Sequence, residues 1–136
     1  MKIAYQAVLK PQRGGGFTVT FPDLPDAVTE GESQAEALFN AAEVLTLTLE
    51  GRMDEGVAIP KPGRHRGAWV YPSPPCQAAL LIRRTRAERP MSDLARTLKT
   101  SWAAARRLEN PHHATTIRQL HRAAHAYGKR LVLYFE

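Results

Sequence analysis

Apolar and polar residues alternate at the start of the chain, which is typical of strands. The alternation runs through residues 2–9 and again through 17–21, so each segment has one apolar side. Three glycines at 14–16 separate the two segments and predict a hairpin, because glycine enters positive-φ conformations at little steric cost. Short β-prone runs at 26–29 and 68–71 predict two further strands.

A helical period replaces the alternation between Ser33 and Leu49. Ser33 and Glu36 have the spacing of a capping box, in which each side chain satisfies a free backbone N–H. The predicted buried stripe consists of Leu38, Ala42, Leu45 and Leu49. Gly51 is the predicted end of this helix.

The prolines of residues 71–75 predict a stiff, extended connector, so we place a domain boundary there and expect domains at 1–75 and 76–136. Helices are predicted behind it at 77–89 and from a cap at Thr115 or Thr116 to about Tyr127. The predicted core positions of the last helix are Ile117, Leu120, Ala124 and Tyr127. The apolar run 131–135 predicts a terminal strand.

Residues 91–108 predict two short helices with a tight break at Lys99 and Thr100. The first turns Leu94, Ala95 and Leu98 inward, and Ser101 can cap the second, which buries Ala105 and Leu108. The open face then carries Trp102, Ala103, Arg106 and Arg107. This arrangement is suited to a DNA major groove, although an ordinary helical hairpin with a solvated basic face has the same pattern.

Charge separates the two halves of the chain. Residues 1–75 carry seven Lys and Arg against nine Asp and Glu, whereas residues 76–136 carry twelve against four. So basic a segment favours a polyanionic partner, and nucleic acid is the first candidate. The single cysteine, Cys76, cannot form an intrachain disulfide, and no apolar run is long enough to span a bilayer, so we expect a cytoplasmic protein without a membrane partner.

No catalytic, cofactor or metal motif is convincing. The chain has no P-loop, no GxGxxG and no HExxH. His121 and His125 have the spacing of a two-histidine metal pair but no third ligand, and Asp23 and Asp26 are interpreted as solvated carboxylates of a proline turn. We therefore expect neither catalytic residues, nor a cofactor, nor a metal.

Several runs resemble the HicB family of antitoxins. In the front half these are FTVTFPDLPDAVTEGES at 17–33, QAEALFNAAEVL at 34–45 and IPKP at 59–62. In the rear half, SDLARTL, RRLENPHHAT and YGKRLVLYF resemble the helix-turn-helix appended to many of these antitoxins. The turn departs from the usual glycine and β-branched residue, so Lys99 is expected to adopt a glycine-like conformation.

The resemblance implies an α+β chain that is not an enzyme. Its front domain would be a partial ribonuclease H-like fold, a small sheet with one packed helix, that binds and occludes a small mRNA-cleaving HicA-type toxin. Its rear domain would be an all-α helix-turn-helix unit, ending in a short strand, that represses its own operon by binding operator DNA. The toxin-binding candidates are Phe17, Phe21, Asp23, Asp26 and Glu30.

Within the rear domain Arg106 is expected to contact a base edge, with guanine as the usual target. Phosphate contacts are expected from Lys99, Ser101, Arg107, and His112 or His113. Trp102 is interpreted as a contact to a thymine methyl or the backbone, or else as a dimer or core aromatic. Thr100, Ala103 and Thr115 complete the DNA-binding candidates.

A lone terminal strand must either join the front sheet or pair with a second copy. We expect the latter, in a homodimer or higher even oligomer held by Leu131, Leu133 and Phe135. Two alternatives are a free-standing transcription regulator with a ligand-sensing front domain and an RNA-binding or RNA-cleaving enzyme.

Overall fold

The computed structural model describes the whole chain, Met1–Glu136. The chain divides into two compact units, Met1–Cys76 and Gln77–Glu136, called here the front unit and the rear unit. It is a mixed α/β protein with one four-stranded antiparallel sheet and five helices. No helix combines the length and the hydropathy that a membrane crossing requires.

The sheet lies in the front unit and has the order β3-β2-β1-β4. Its strands are β1 (Tyr5–Pro11), β2 (Phe17–Thr20), β3 (Val28–Gly31) and β4 (Ala68–Val70). Val19 pairs with Leu9 on one side and Thr29 on the other, while Tyr5 pairs with Val70. Tyr5, Val19 and Val70 are buried, so one face of the sheet forms the core of this unit.

The turn between β2 and β3 is longer than predicted. The Leu24 N–H donates to the Phe21 carbonyl and the Ala27 N–H donates to the Leu24 carbonyl, so two successive turns occupy residues 21–27. The expected strand at 26–29 is therefore wrong by two residues, and β3 begins at Val28. By contrast, all three glycines at 14–16 have positive φ, as the predicted hairpin requires.

Helix α1 (Gln34–Glu55) packs on the sheet. Ser33 caps it as predicted, because its hydroxyl accepts from the Glu36 N–H at 3.1 Å. The reciprocal bond of a capping box is made instead to Glu32, whose N–H donates to the Glu36 carboxylate. Gly51 lies inside the helix, so its prediction as the stop is wrong. The helix ends at Glu55 and is capped by Gly56, whose φ of 69° is the left-handed conformation of a C-terminal cap.

The buried stripe of α1 is shifted from the predicted one in its first half. The buried residues are Ala37, Ala41, Leu45, Leu49 and Met53. Leu38 and Ala42 are only half-buried, because alanine, not leucine, faces the sheet where helix and strand approach most closely. At Gly31 of β3, an added Cβ would lie 2.4 Å from the Ala37 nitrogen.

Four helices follow: α2 (Pro74–Arg86), α3 (Met91–Thr97), α4 (Trp102–Leu108) and α5 (Ile117–Ala126). The predicted extended connector is wrong at its last two residues, since Pro74 and Pro75 begin α2. The first turn of a helix tolerates proline because its N–H groups have no intrahelical partner.

The rear unit has its own hydrophobic core. Its buried members are Ile82, Leu94, Ala95, Leu98, Ala105, Leu108 and Ala123. Leu120 and Tyr127 pack against this core as predicted, whereas Ile117 is exposed. The prediction of Ala124 is wrong, since the buried alanine of this helix is Ala123. Ile117 is the first residue of α5, and the buried side of that helix passes through Ala123, about 1.7 turns later.

The terminal run 131–135 forms no strand in this structure, so the expected short strand is not present in the single chain. The front sheet consists of β3, β2, β1 and β4, so this run is not one of its strands. Val132, Leu133 and Phe135 are exposed. A strand requires backbone hydrogen bonds to a neighbouring strand, and no other segment of this chain provides them for residues 131–135.

Candidate functional surfaces of the two units

Helices α3 and α4 are joined by a tight turn at residues 98–101. Lys99 has a φ of 53°, so it adopts the predicted glycine-like conformation. The Thr100 N–H returns to the Ala95 carbonyl at 2.9 Å, which closes the end of α3. Ser101 caps α4 as predicted, because its hydroxyl accepts from the Ala104 N–H at 3.1 Å. The turn therefore fixes the direction in which α4 begins.

One side of α4 faces solvent and is basic. Ala105 and Leu108 are buried, whereas Trp102, Ala103, Arg106 and Arg107 are exposed. Lys99, Thr100 and Ser101 at the start of the helix are exposed too, and so is His112, while His113 and Thr115 are half-buried. The structure thus brings the DNA-binding candidates of 99–107 together on one surface.

Trp102 supports an arginine on this surface. The guanidinium carbon of Arg106 lies 5.4 Å from the centre of the Trp102 ring, within the range of a cation–π contact. Trp102 is 52% exposed, which excludes the interpretation of this residue as a core aromatic. Its ring limits the positions that the Arg106 side chain can occupy, so the arginine is partly ordered before any ligand arrives.

Glu109, which sequence reasoning missed, anchors the far end of α4. Its side chain is only 4% exposed. Arg86 of α2 donates Nε and Nη2 to the two carboxylate oxygens at 2.5 and 2.9 Å, and Arg83 donates to the Glu109 carbonyl at 3.2 Å. The pKa of Arg86 is raised, mainly by the hydrogen bond to Glu109. One signal for this anchor was available, because Glu109 is one of only four acidic residues in 76–136.

Helix α5 holds the start of α3 and the turn. The Tyr127 hydroxyl donates to the Asp93 carboxylate at 3.1 Å, and the Arg89 guanidinium lies 4.1 Å from the centre of the Tyr127 ring. Burial, together with the Asp93 carboxylate, raises the pKa of Tyr127. Arg122 donates to the Leu98 carbonyl immediately before Lys99. The exposed face of α4 is therefore carried on a frame that is hydrogen-bonded on both sides.

In the front unit, Asp23 is a half-buried structural carboxylate, so its interpretation as a solvated one is wrong. Its oxygens accept from His65 Nε2 at 2.8 Å and from the Gly63 N–H at 3.0 Å. Burial acts to raise the pKa of Asp23, but the His65 and Gly63 hydrogen bonds and the His65 charge outweigh it and lower the pKa. Asp23 thereby ties the proline turn to the loop that precedes β4.

Gln6 and Tyr5 hold the same loop from β1. The Gln6 amide accepts from the His65 N–H at 2.5 Å and donates to the Gly67 carbonyl at 3.2 Å. The Tyr5 hydroxyl donates to the Pro60 carbonyl at 2.7 Å. These bonds fix the run IPKP and the residues after it against the sheet.

The other toxin-binding candidates lie in different surroundings. Phe21 is 1% exposed and belongs to the core, while Phe17 is half-buried on β2. The Asp26 carboxylate is exposed and pairs with Arg52 at 2.7 Å, and this hydrogen bond lowers its pKa. Glu30 is exposed on β3 and accepts from the Gln12 amide at 3.2 Å. The structure does not gather these five residues into one exposed surface.

Comparisons with known proteins bear on both units. The sequence profile of the family described as HicB-like antitoxins of bacterial toxin–antitoxin systems matches residues 4–69. Antitoxin HicB of Escherichia coli (strain K12) is 33% identical over 133 residues, which cover 95% of this chain and 96% of the relative. Antitoxins HicB 1 and HicB 2 of Photorhabdus laumondii are 28% and 32% identical, over 97% and 87% of this chain and 86% of each relative. The likeness to these relatives therefore extends through the rear unit as well.

Proposed function

Because this chain belongs to the HicB-like family of antitoxins, and is therefore a non-enzymatic regulatory protein, we propose that it is the antitoxin of a type II toxin–antitoxin pair. The front unit binds a small mRNA-cleaving toxin of the HicA type and occludes its active site. The rear unit binds operator DNA and represses the operon, in the cytoplasm where both targets lie. The front unit is a partial ribonuclease H-like fold and the rear unit a helix-turn-helix domain.

The basic, exposed side of α4 is the observation that carries the DNA-binding half of this proposal. Lys99, Arg106 and Arg107 lie on it, and Ser101 and Glu109 fix the helix at its two ends. A short helix with cations on its open face and a small residue at its entrance fits a major groove. In this complex Arg106 reads a guanine edge, while Arg107, Lys99, Ser101 and one of His112 and His113 contact phosphates.

Trp102 has two roles in the complex. It holds Arg106 in the cation–π contact, and its exposed edge packs on a thymine methyl or on the backbone. Thr100, Ala103 and Thr115 lie at the margin of the same surface. The apolar run at 131–135 pairs with its counterpart in a second copy through Leu131, Leu133 and Phe135, which supplies the twofold symmetry of a palindromic operator.

Charge supports the toxin-binding half. A protein that grips RNA needs a basic surface, and residues 1–75 have a small excess of acidic over basic residues. The same residues would oppose DNA, so the two tasks are divided between the units.

The test is to express the chain with the open reading frame beside its gene and to identify by mass what copurifies. We expect a basic HicA-type protein whose cleavage of RNA stops when the antitoxin is added in equal amount. Fluorescence anisotropy at stated salt concentrations should show binding to the promoter of the same operon. A chain that copurifies without such a protein, but with a small molecule bound, would support the ligand-sensing regulator instead.

A further inference from the structure

An exposed row of side chains runs along α1 on the side that faces away from the sheet. Phe39, Glu43 and Leu47 follow one another at intervals of four residues. Each lies two residues after a member of the buried row, Ala37, Ala41 and Leu45, and two residues correspond to a rotation of about 200° around a helix. The row is therefore directly opposite the core of the front unit.

Two large apolar side chains of this row are in solvent. Phe39 is 67% exposed and Leu47 is 66% exposed. Neither contributes to the core that holds α1 on the sheet, so their apolar character has no role in the fold of this chain. Exposed apolar groups rimmed by polar residues commonly mark a surface that binds a partner.

The apolar pair is surrounded by acidic residues. Glu43 lies between Phe39 and Leu47, and Glu36 and Asp54 lie on the same side of the helix, nearer its ends. The only cation of α1 is Arg52, which pairs with Asp26 at 2.7 Å and donates to the Ala58 carbonyl at 3.0 Å. The outer face of α1 thus offers two apolar anchors within a negative rim.

We propose that this outer face, formed by Phe39, Glu43 and Leu47, is the surface on which the toxin docks, an inference that rests on the proposed function. A ribonuclease that binds RNA carries lysine and arginine around its site. Apolar side chains of the toxin would pack on Phe39 and Leu47, and one of its lysines or arginines would pair with Glu43. Occupying those cations also removes them from RNA.

A second copy of this chain fits the surface poorly. In a twofold contact between two α1 helices, the same acidic face would meet itself, and like charges would oppose each other without a cation to neutralise them. The open face of the sheet is also less suitable. Its exposed apolar residues, Val28 and Trp69, lie on opposite edge strands, and Lys10 and Thr20 lie between them.

The experiment measures the affinity of the full chain for the HicA-type toxin encoded beside it, by titration calorimetry. We expect Phe39→Ser and Leu47→Ser each to weaken binding by about tenfold or more, because truncating an interface anchor costs upwards of about 1.4 kcal/mol. Glu43→Lys should weaken binding and make it less dependent on salt, because one attractive charge contact becomes repulsive. Val28→Thr, an exposed apolar position on the sheet, is the matched control and should stay within about twofold.

Urea denaturation of each variant in a Trp102→Phe background, followed by the fluorescence of Trp69, should give a midpoint close to that of the parent chain and so show that the front unit is still folded. The proposal is overturned if Phe39→Ser and Leu47→Ser bind the toxin as the parent does, or if Val28→Thr alone weakens binding. It is also overturned if the two variants keep the toxin affinity but split an oligomer of the free chain. A parent chain that does not bind the toxin would overturn the proposed function itself.

Discussion

Arg86 and Glu109 form a two-pronged ion pair between the last residue of α2 and the residue that follows α4. Both carboxylate oxygens of Glu109 are used, and its carbonyl accepts from Arg83 as well. The pair fixes the position of α4 relative to α2 within the rear unit, so it positions the basic surface without belonging to it.

Removing this carboxylate should destabilise the rear unit. We expect Glu109→Gln to lower the free energy of unfolding by about 2–3 kcal/mol, because it leaves a mostly buried guanidinium without its anion. In a Trp69→Phe background Trp102 is the remaining tryptophan, so urea denaturation followed by its fluorescence reports on this unit. Glu88→Gln, at an exposed acidic position, should change stability by less than about 0.5 kcal/mol. Equal stabilities of the two variants would contradict a structural role for the pair.

The Asp23 carboxylate should make the front unit sensitive to acid. Its pKa is lower in the folded chain than the ordinary 3.8, so the folded state binds fewer protons than the unfolded state. The resulting stability is fully present above 3.8 and is lost as the pH falls through the folded-state pKa. We expect Asp23→Asn to cost about 1–3 kcal/mol at pH 7 and to lose less stability on acidification.

In a Trp102→Phe background, Trp69 reports on this unit during urea denaturation at several pH values. Glu32→Gln is a suitable control, because Glu32 is exposed. An Asp23→Asn variant with the same acid dependence as the parent would show that this carboxylate does not hold the loop.

Arg106 and Arg107 should differ in what they contribute to operator binding. Arg106→Ala is expected to cost about 1–3 kcal/mol and to relax the preference at one base position. Arg107→Ala is expected to weaken all sequences alike and to reduce the slope of log affinity against log salt by about one. Binding of an operator and its single-base variants at three salt concentrations distinguishes the two patterns. A uniform loss with Arg106→Ala would make that residue a phosphate contact.

Gly51 should be replaceable with a gain in stability. It lies inside α1, and an added Cβ would meet nothing within 4 Å. We expect Gly51→Ala to stabilise the front unit by about 0.5–1 kcal/mol, since glycine is the weaker helix former. Gly67→Ala is the opposing control, because its Cβ would lie 2.3 Å from the Ala7 carbonyl oxygen. The melting temperature should rise for Gly51→Ala and fall for Gly67→Ala, and a change in the same direction for both would contradict the packing around these two glycines.

Cys76 should be unreactive in the folded chain. Burial, with a smaller contribution from the charge of Glu50, raises the pKa of its thiol to about 12. Little thiolate is therefore present at pH 8, and burial blocks access to the sulfur. We expect Ellman's reagent to react at least about 100-fold more slowly with the native chain than with the denatured chain. Fast release of one equivalent of thionitrobenzoate from the native protein would show that the structure around Cys76 opens readily.

Local chemistry explains which parts of the fold could be predicted from the sequence. Ser33 and Ser101 cap helices because a hydroxyl placed just before a helix accepts a hydrogen bond from a free backbone N–H of its first turn. Lys99 has a positive φ because the tight turn requires it. The prediction that α1 ends at Gly51 is wrong, because a glycine lowers the stability of a helix but does not end one that is packed on a sheet. Pro74 and Pro75 were misplaced for a related reason, because proline is excluded from a helix interior but not from its first turn.

The parts that could not be predicted depend on contacts between distant residues. Arg86 and Glu109 are 23 positions apart, and Asp23 and His65 are 42 apart. No local pattern pairs them. The five toxin-binding candidates follow from the family resemblance, whereas the outer face of α1 is recognised only when the exposure of its side chains is known. The sequence period places Phe39 and Leu47 on one side of α1, but it does not show whether that side is buried in the core or exposed.

Lys99 is a cation at a backbone position that favours glycine. Its left-handed conformation costs a lysine about 1–2 kcal/mol that a glycine would avoid. Lys99 is exposed just before α4, and a glycine there would carry no charge to contact a phosphate. Under the proposed operator binding, thermal stability and operator affinity therefore favour different residues at this position: glycine would raise stability, whereas lysine would add a phosphate contact.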